Sequence, residues 1–123
     1  MIQSPYEKYQ NIQTQTANKS RLLIMLYEGA IRFVRLGISG IESGSPEVAN
    51  NNLIKAQAII HELMSTLDFK FEISTHLSKV YEYMIFQLIQ ANVSKNKKPA
   101  EEILNYLIEL KEAWTQAALG EAR

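Results

Sequence analysis

Apolar side chains recur along this chain at alternating spacings of three and four residues. Between positions 47 and 67 they fall at Ala49, Leu53, Ala56, Ile60, Leu63 and Leu67. A second series runs Ile73, Leu77, Val80, Met84, Leu88 and Ala91, and a third Ile103, Leu107, Leu110, Trp114 and Ala117. At about 3.6 residues per turn, such spacings place each series on one helix face, the seam by which a helix joins a bundle. The stretch LLIMLYEGAIRFVRLGI, residues 22–38, is also helical in period but apolar nearly all round, with Glu28, Arg32 and Arg35 as its only charges. Those charges, together with Arg21, Ser39 and Glu42, fall within ~80° of the wheel, whereas a core-facing stripe needs only ~100° or somewhat more. An inner face of Leu23, Leu26, Ala30, Phe33, Gly37 and Ile41 suffices for the seam. Ile24, Ile31 and Ile38, with Tyr27 beside them, are then surplus on one shoulder, and Met25 and Leu36 on the other. The later helices carry a milder surplus in Ile54 and Ile59, Phe86 and Ile89, and Leu104 and Ile108.

Turn signals separate the series. Asn18 is the expected cap of a first helix that runs to about Ser43. Gly44-Ser45-Pro46 ends that helix and starts the next, with Ser45 as N-cap and proline at the first helical position. Asp68–Glu72 and the lysine cluster Lys95, Lys97 and Lys98 ahead of Pro99 read as solvated connections, the fourth helix starting near Pro99. No segment alternates with a period of two, and short links favour antiparallel neighbours. The predicted fold is therefore all-α: an antiparallel up-down four-helix bundle over 18–119, with a polar and aromatic N-terminal arm at 1–17 and a tail at 120–123. Gly29, Gly37 and Gly40 inside the first helix mark either tight helix packing or the floor of a groove.

The surplus apolar surface does not make a membrane span, because the longest apolar run, Leu22 to Tyr27, is six residues against the roughly 20 that a bilayer requires. The opening MIQSPYEKYQNIQ lacks a basic stretch followed by an apolar one, so no signal peptide is expected. A length of 123 residues fits one domain with a proper core. Thirteen acidic and thirteen basic side chains balance, which offers no overall field for nucleic acid or anionic lipid. The absence of cysteine excludes disulfides and thiolate metal sites and fits a reducing compartment. A di-iron bundle needs Glu-x-x-His pairs, yet Ala58 precedes His61 by three residues and Ile73 precedes His76. His61-Glu62 resembles the start of a zinc-protease motif, but position 65 is serine where the second histidine is required. Neither a phosphate loop nor a nucleophile elbow is present. No enzymatic activity, metal or cofactor is expected.

Contiguous apolar surface on a soluble protein usually marks a partner site. Periodicity alone leaves two readings level: a groove for a partner, or a self-interface in a homodimeric bundle. Tyr6 and Tyr9, three apart, share one face of a helical turn; the arm either folds back over an apolar shoulder or is a frayed end.

The chain resembles the flagellin export chaperone family (FliS) over almost its whole length. The resemblance is carried by Tyr6-x-x-Tyr9-Gln10, Thr16-Ala17, Met25 through Phe33 (MLYEGAIRF), Lys55-Ala56-Gln57 leading to Ile60-His61-Glu62-Leu63, Leu67-Asp68, Tyr81-Glu82-Tyr83-Met84, Leu88 through Asn92, and Leu110 through Trp114. Tyr27-Glu28-Gly29 and Tyr81-Glu82-Tyr83 keep the negative charge where the family commonly has aspartate. The resemblance implies a cytoplasmic helical bundle that binds the disordered C-terminal segment of flagellin, which wraps around it partly as helices. The client is thereby kept from premature polymerisation and remains competent for export. It further implies that the chaperone's own N-terminal arm covers part of the surface beforehand, and that other flagellar regulatory proteins are further partners. A helical client docks through anchors at i, i+3, i+4 and i+7, so the surplus positions become the expected groove: Ile24, Met25, Tyr27, Ile31, Ile38, Ile59, Phe86 and Ile89, with Tyr6 and Tyr9 as its cover. The expected state is a monomer or weak homodimer without nucleic acid or membrane insertion. The alternative is a structural homodimeric bundle or adaptor whose apolar surface is self-buried.

Overall fold

Three short connections set the direction of every helix. In this computed structural model, which describes the backbone of residues 5–121 and the side chains of 19–120, α1 spans Pro5–Glu42, α2 Pro46–Ser65, α3 Glu72–Ser94 and α4 Lys97–Glu121. The first turn uses Gly44 at φ 70°, a left-handed conformation that glycine adopts without strain. Ser45 stands at the N-cap of α2 as expected, but its hydroxyl makes no capping bond. Its carbonyl accepts from the Ala49 N–H at 3.1 Å instead. The α2–α3 link is tied by the Ser74 hydroxyl, which donates to the Asp68 carbonyl at 2.7 Å. α3 ends at Lys95 with φ 51°, where its ammonium donates back to the Asn92 carbonyl at 2.6 Å. α4 then starts at Lys97, ahead of Pro99, and continues past the expected tail boundary to Glu121.

The helices form a ring in which α1 packs on α2 and α4, and α3 packs on the same two, as an up-down bundle requires. The seam of α2 is as expected, with Ala49, Leu53, Ala56, Ile60 and Leu63 buried. In α3 the seam is Ser74, Leu77, Tyr81, Met84, Leu88 and Ala91, and Ile73 and Val80, expected inside, are exposed. Hydrogen bonds draw Ser74 and Tyr81 inward and rotate the helix to suit. In α4, Ala100, Ile103 and Leu107 are buried, whereas Ala117 is exposed because the last turns run past the start of α3.

The largest departure is in α1. Its helix does not begin at Asn18 but runs unbroken from Pro5. Its seam is Leu23, Tyr27, Ala30, Ile31, Val34 and Ile38, with Leu26, Phe33 and Ile41 only half-buried. The glycines account for the rotation. A Cβ on Gly37 would lie 2.6 Å from Leu53 Cδ2, and one on Gly40 would lie 2.6 Å from the Ala49 backbone nitrogen. α2 is therefore pressed against bare backbone, and the large α1 side chains turn toward the centre of the ring and α4.

Inside that half of the bundle the Trp114 indole N–H donates to the Tyr27 hydroxyl at 3.2 Å, and the hydroxyls of Tyr27 and Tyr81 hydrogen-bond to each other. This chain links α4, α1 and α3 through the core. Burial pushes both phenols above their ordinary pKa. Among the described residues, every buried side-chain polar atom has a partner.

Candidate functional site

The ring has four grooves between neighbouring helices, and their chemistry differs. Both ion pairs among the described residues cross the α1–α4 groove: Lys97 to Glu42 at 2.8 Å and Lys111 to Glu28 at 3.5 Å. The other three expose more apolar side chains. The α1–α2 groove presents Leu22, Met25 and Leu36 from α1 and Val48 from α2 as exposed residues, with Ile59 half-buried between the helices. Ile54 on α2 and Phe86, Ile89 and Val93 on α3 are exposed. The α3–α4 groove is a cleft of about 640 Å³, lined by Val80, Tyr83, Tyr106, Leu110 and Ala113 between Lys79 and Glu109. At its far end the Tyr83 hydroxyl donates to Glu102 Oε1 at 2.7 Å, and Gln87 Nε2 donates to the same oxygen at 2.9 Å. The Tyr83 bond, then the Gln87 bond, hold the Glu102 carboxyl below its usual range, and the carboxylate raises the Tyr83 phenol in turn.

The expected groove residues do not form one surface. Tyr27, Ile31 and Ile38 are 0, 6 and 8% exposed and belong to the core, because the glycine-driven rotation of α1 turns that shoulder inward. Ile24 is half-buried beside Ile108 under the Glu28–Lys111 pair. Met25 and Phe86 are open to solvent at 60 and 56%, as is Ile89 to a lesser degree, but Met25 stands on α1 and the other two on α3, which is diagonal to it. Tyr6 and Tyr9 lie outside the residues whose side chains are described. Sequence reasoning missed the α3–α4 cleft. Its signal was the second stripe Tyr106, Leu110 and Ala113 at i, i+4 and i+7, of which Leu110 had been absorbed into the seam.

A second hollow, about 410 Å³, opens where the α2–α3 link meets α1 and α4, lined by Leu23, Leu67, Phe71, Leu77, Tyr81 and Trp114 among others. His61 and His76 are exposed, and no group of three His, Asp or Glu side chains among the described residues could hold a metal ion. No described helix is long and apolar enough to cross a membrane.

Residues 1–121 match the sequence profile of the family described as Flagellar protein FliS. The chain is 39% identical to the flagellar secretion chaperone FliS of Bacillus subtilis over 122 residues, which cover 99% of this chain and 92% of that one. It is 35% identical to the protein of the same name from Salmonella typhimurium over 104 residues, 82% of this chain and 77% of the relative. The Campylobacter jejuni protein is 31% identical over 113 residues, 90 and 88% of the two chains. The profile match over residues 1–121 and the identity along nearly all of its length place this chain in the FliS family of flagellar export chaperones, a family of chaperones and not of enzymes.

Proposed function

We propose that this chain binds the C-terminal segment of flagellin in the cytosol, keeps it from polymerising and holds it ready for export. The observation that supports this most is the apolar surface left exposed along the α1–α2 groove, on α2 and α3, and in the α3–α4 cleft. A disordered client that folds on binding loses roughly 2–5 kcal/mol or more to ordering, and a run of apolar grooves around α2, α3 and α4 offers area to offset that loss. Amphipathic client helices would lie along the grooves by i, i+3, i+4 and i+7 anchors. Of the expected contacts, Met25, Ile59, Phe86 and Ile89 remain in this reading; Tyr27, Ile31 and Ile38 serve the core instead. The covering role of residues 1–17, with Tyr6 and Tyr9, stays part of the proposal, and it requires α1 to break near Asn18 when the arm folds back.

Titration calorimetry of the full chain with the C-terminal segment of the flagellin encoded by the same genome tests the reading. A one-to-one complex, weakened by Phe86→Asp without loss of helicity, is expected. A chain that ignores the segment and whose solution mass is that of a stable dimer would instead be a structural homodimer.

A further inference from the structure

Phe33 of α1 is half-buried, and two cations lie over its ring: the Arg32 guanidinium at 5.7 Å and the Lys55 ammonium of α2 at 5.5 Å from the centroid. Both cationic side chains are exposed. Neither has a carboxylate at ion-pair distance among the described residues, where the two ion pairs use Lys97 and Lys111. A phenyl face attracts each exposed cation by only about 0.5–1 kcal/mol, and the two positive charges repel each other. A carboxylate placed beside the two cations, off the electron-rich ring face, would relieve that repulsion and accept charge-assisted hydrogen bonds from them. The same groove carries the exposed apolar residues Leu22, Met25 and Leu36 along α1, with Ile59 between the helices. Apolar strip and paired cations run side by side.

We infer that the α1–α2 groove takes an amphipathic helix with an Asp or Glu at the edge of its apolar stripe, the carboxylate pairing with Arg32 and Lys55. The inference rests on the client reading above and assigns one groove, one helix face and one charge to it. The carboxylate acts as a register pin: the apolar contacts tolerate sliding by a turn, and the paired cations do not.

The test is calorimetric titration of the full chain with the same flagellin segment, comparing the unaltered protein with R32E/K55E and with the milder R32Q/K55Q. Reversal is expected to weaken binding by about tenfold or more, equivalent to roughly 1.4 kcal/mol, and neutralisation by less, while the melting temperature of either variant stays put. Replacing the matching acidic residue of the segment by lysine should restore affinity for R32E/K55E. Equal affinity of all three proteins overturns this inference and leaves the client reading standing. No binding by the unaltered chain overturns both. A dimer that R32E/K55E dissociates would make a second copy the occupant, and would also overturn it.

Discussion

The α1–α2 and α3–α4 contacts hold the same ring together by opposite means. Between α1 and α2 the backbones nearly touch: Gly37 and Gly40 leave no room for a Cβ beside Leu53 and Ala49. Between α3 and α4 the helices are joined at the rim by Tyr83 and Gln87 on Glu102, above a floor that still exposes Val80 and Ala113. Close backbone approach fixes a frame with few side chains. Joining by side-chain tips leaves apolar surface free for something else. One pair of helices defines the shape, and the other offers it.

The sharpest way to break this comparison is a charge on each side. Leu53→Asp buries a carboxylate with no partner against Gly37, a loss of roughly 3–5 kcal/mol or more out of a total stability of about 5–15 kcal/mol. Val80→Asp meets solvent in the open cleft. Thermal circular dichroism should show a strongly lowered transition for the first and a near-native one for the second; if both melt alike, the cleft is not open.

Next in size is Gly40→Ala, whose methyl would press on the α2 backbone and destabilise by ~1–3 kcal/mol through overpacking. Gly37→Ala should cost less, because it meets the movable end of Leu53, and Gly29→Ala least, at 3.1 Å from Ile59 Cδ1. Urea denaturation curves of the three variants would give the order directly.

Tyr27→Phe takes a partner from both Tyr81 and Trp114, a loss of ~1–3 kcal/mol. Tyr81→Phe should cost less, since the Tyr27 hydroxyl keeps its bond from Trp114. Both phenols titrate above their ordinary value in the native state. Above pH ~10 the unfolded chain loses protons that the native chain retains, so stability is level below that pH and falls above it. The fall should flatten in the double variant Tyr27→Phe/Tyr81→Phe, and a fall of undiminished slope would place its origin elsewhere.

Lys111→Ala should do least. Its pair with Glu28 spans 3.5 Å between two substantially exposed side chains, and such pairs contribute about 1 kcal/mol at most. A larger drop in melting temperature would mean that the α1–α4 groove is held by more than its packing.

The architecture was legible in the sequence because period and turn chemistry act locally: the seam of α2 and the Gly44-Ser45-Pro46 turn follow from spacing alone. The face of α1 was not. A wheel shows which residues are apolar but not where two neighbours sit, and three glycines on the α2 side displaced the seam by about one position. That displacement moved Ile31 and Ile38 from surface to core and left Phe33 half-buried at the edge of the core. Tyr81 entered the α3 seam for a similar reason, since its hydroxyl finds its partner 54 residues away on α1. The candidate surface was therefore visible as an amount of apolar area, and its location had to come from the packing.

The order of contacts around the ring also prescribes an order in time. α1 meets α2 across a three-residue turn at 43–45, while it meets α4 through residues as far apart as Tyr27 and Trp114, separated by 87 positions. Closing a loop grows costlier with its length, by about 0.6 kcal/mol per doubling, so the glycine-lined hairpin is expected to form early and the α1–α4 seam to close last. Kinetic comparison of Gly40→Ala and Tyr27→Phe checks this: the first should slow folding, and the second should chiefly hasten unfolding. The groove that the two ion pairs span is then the door through which the bundle assembles.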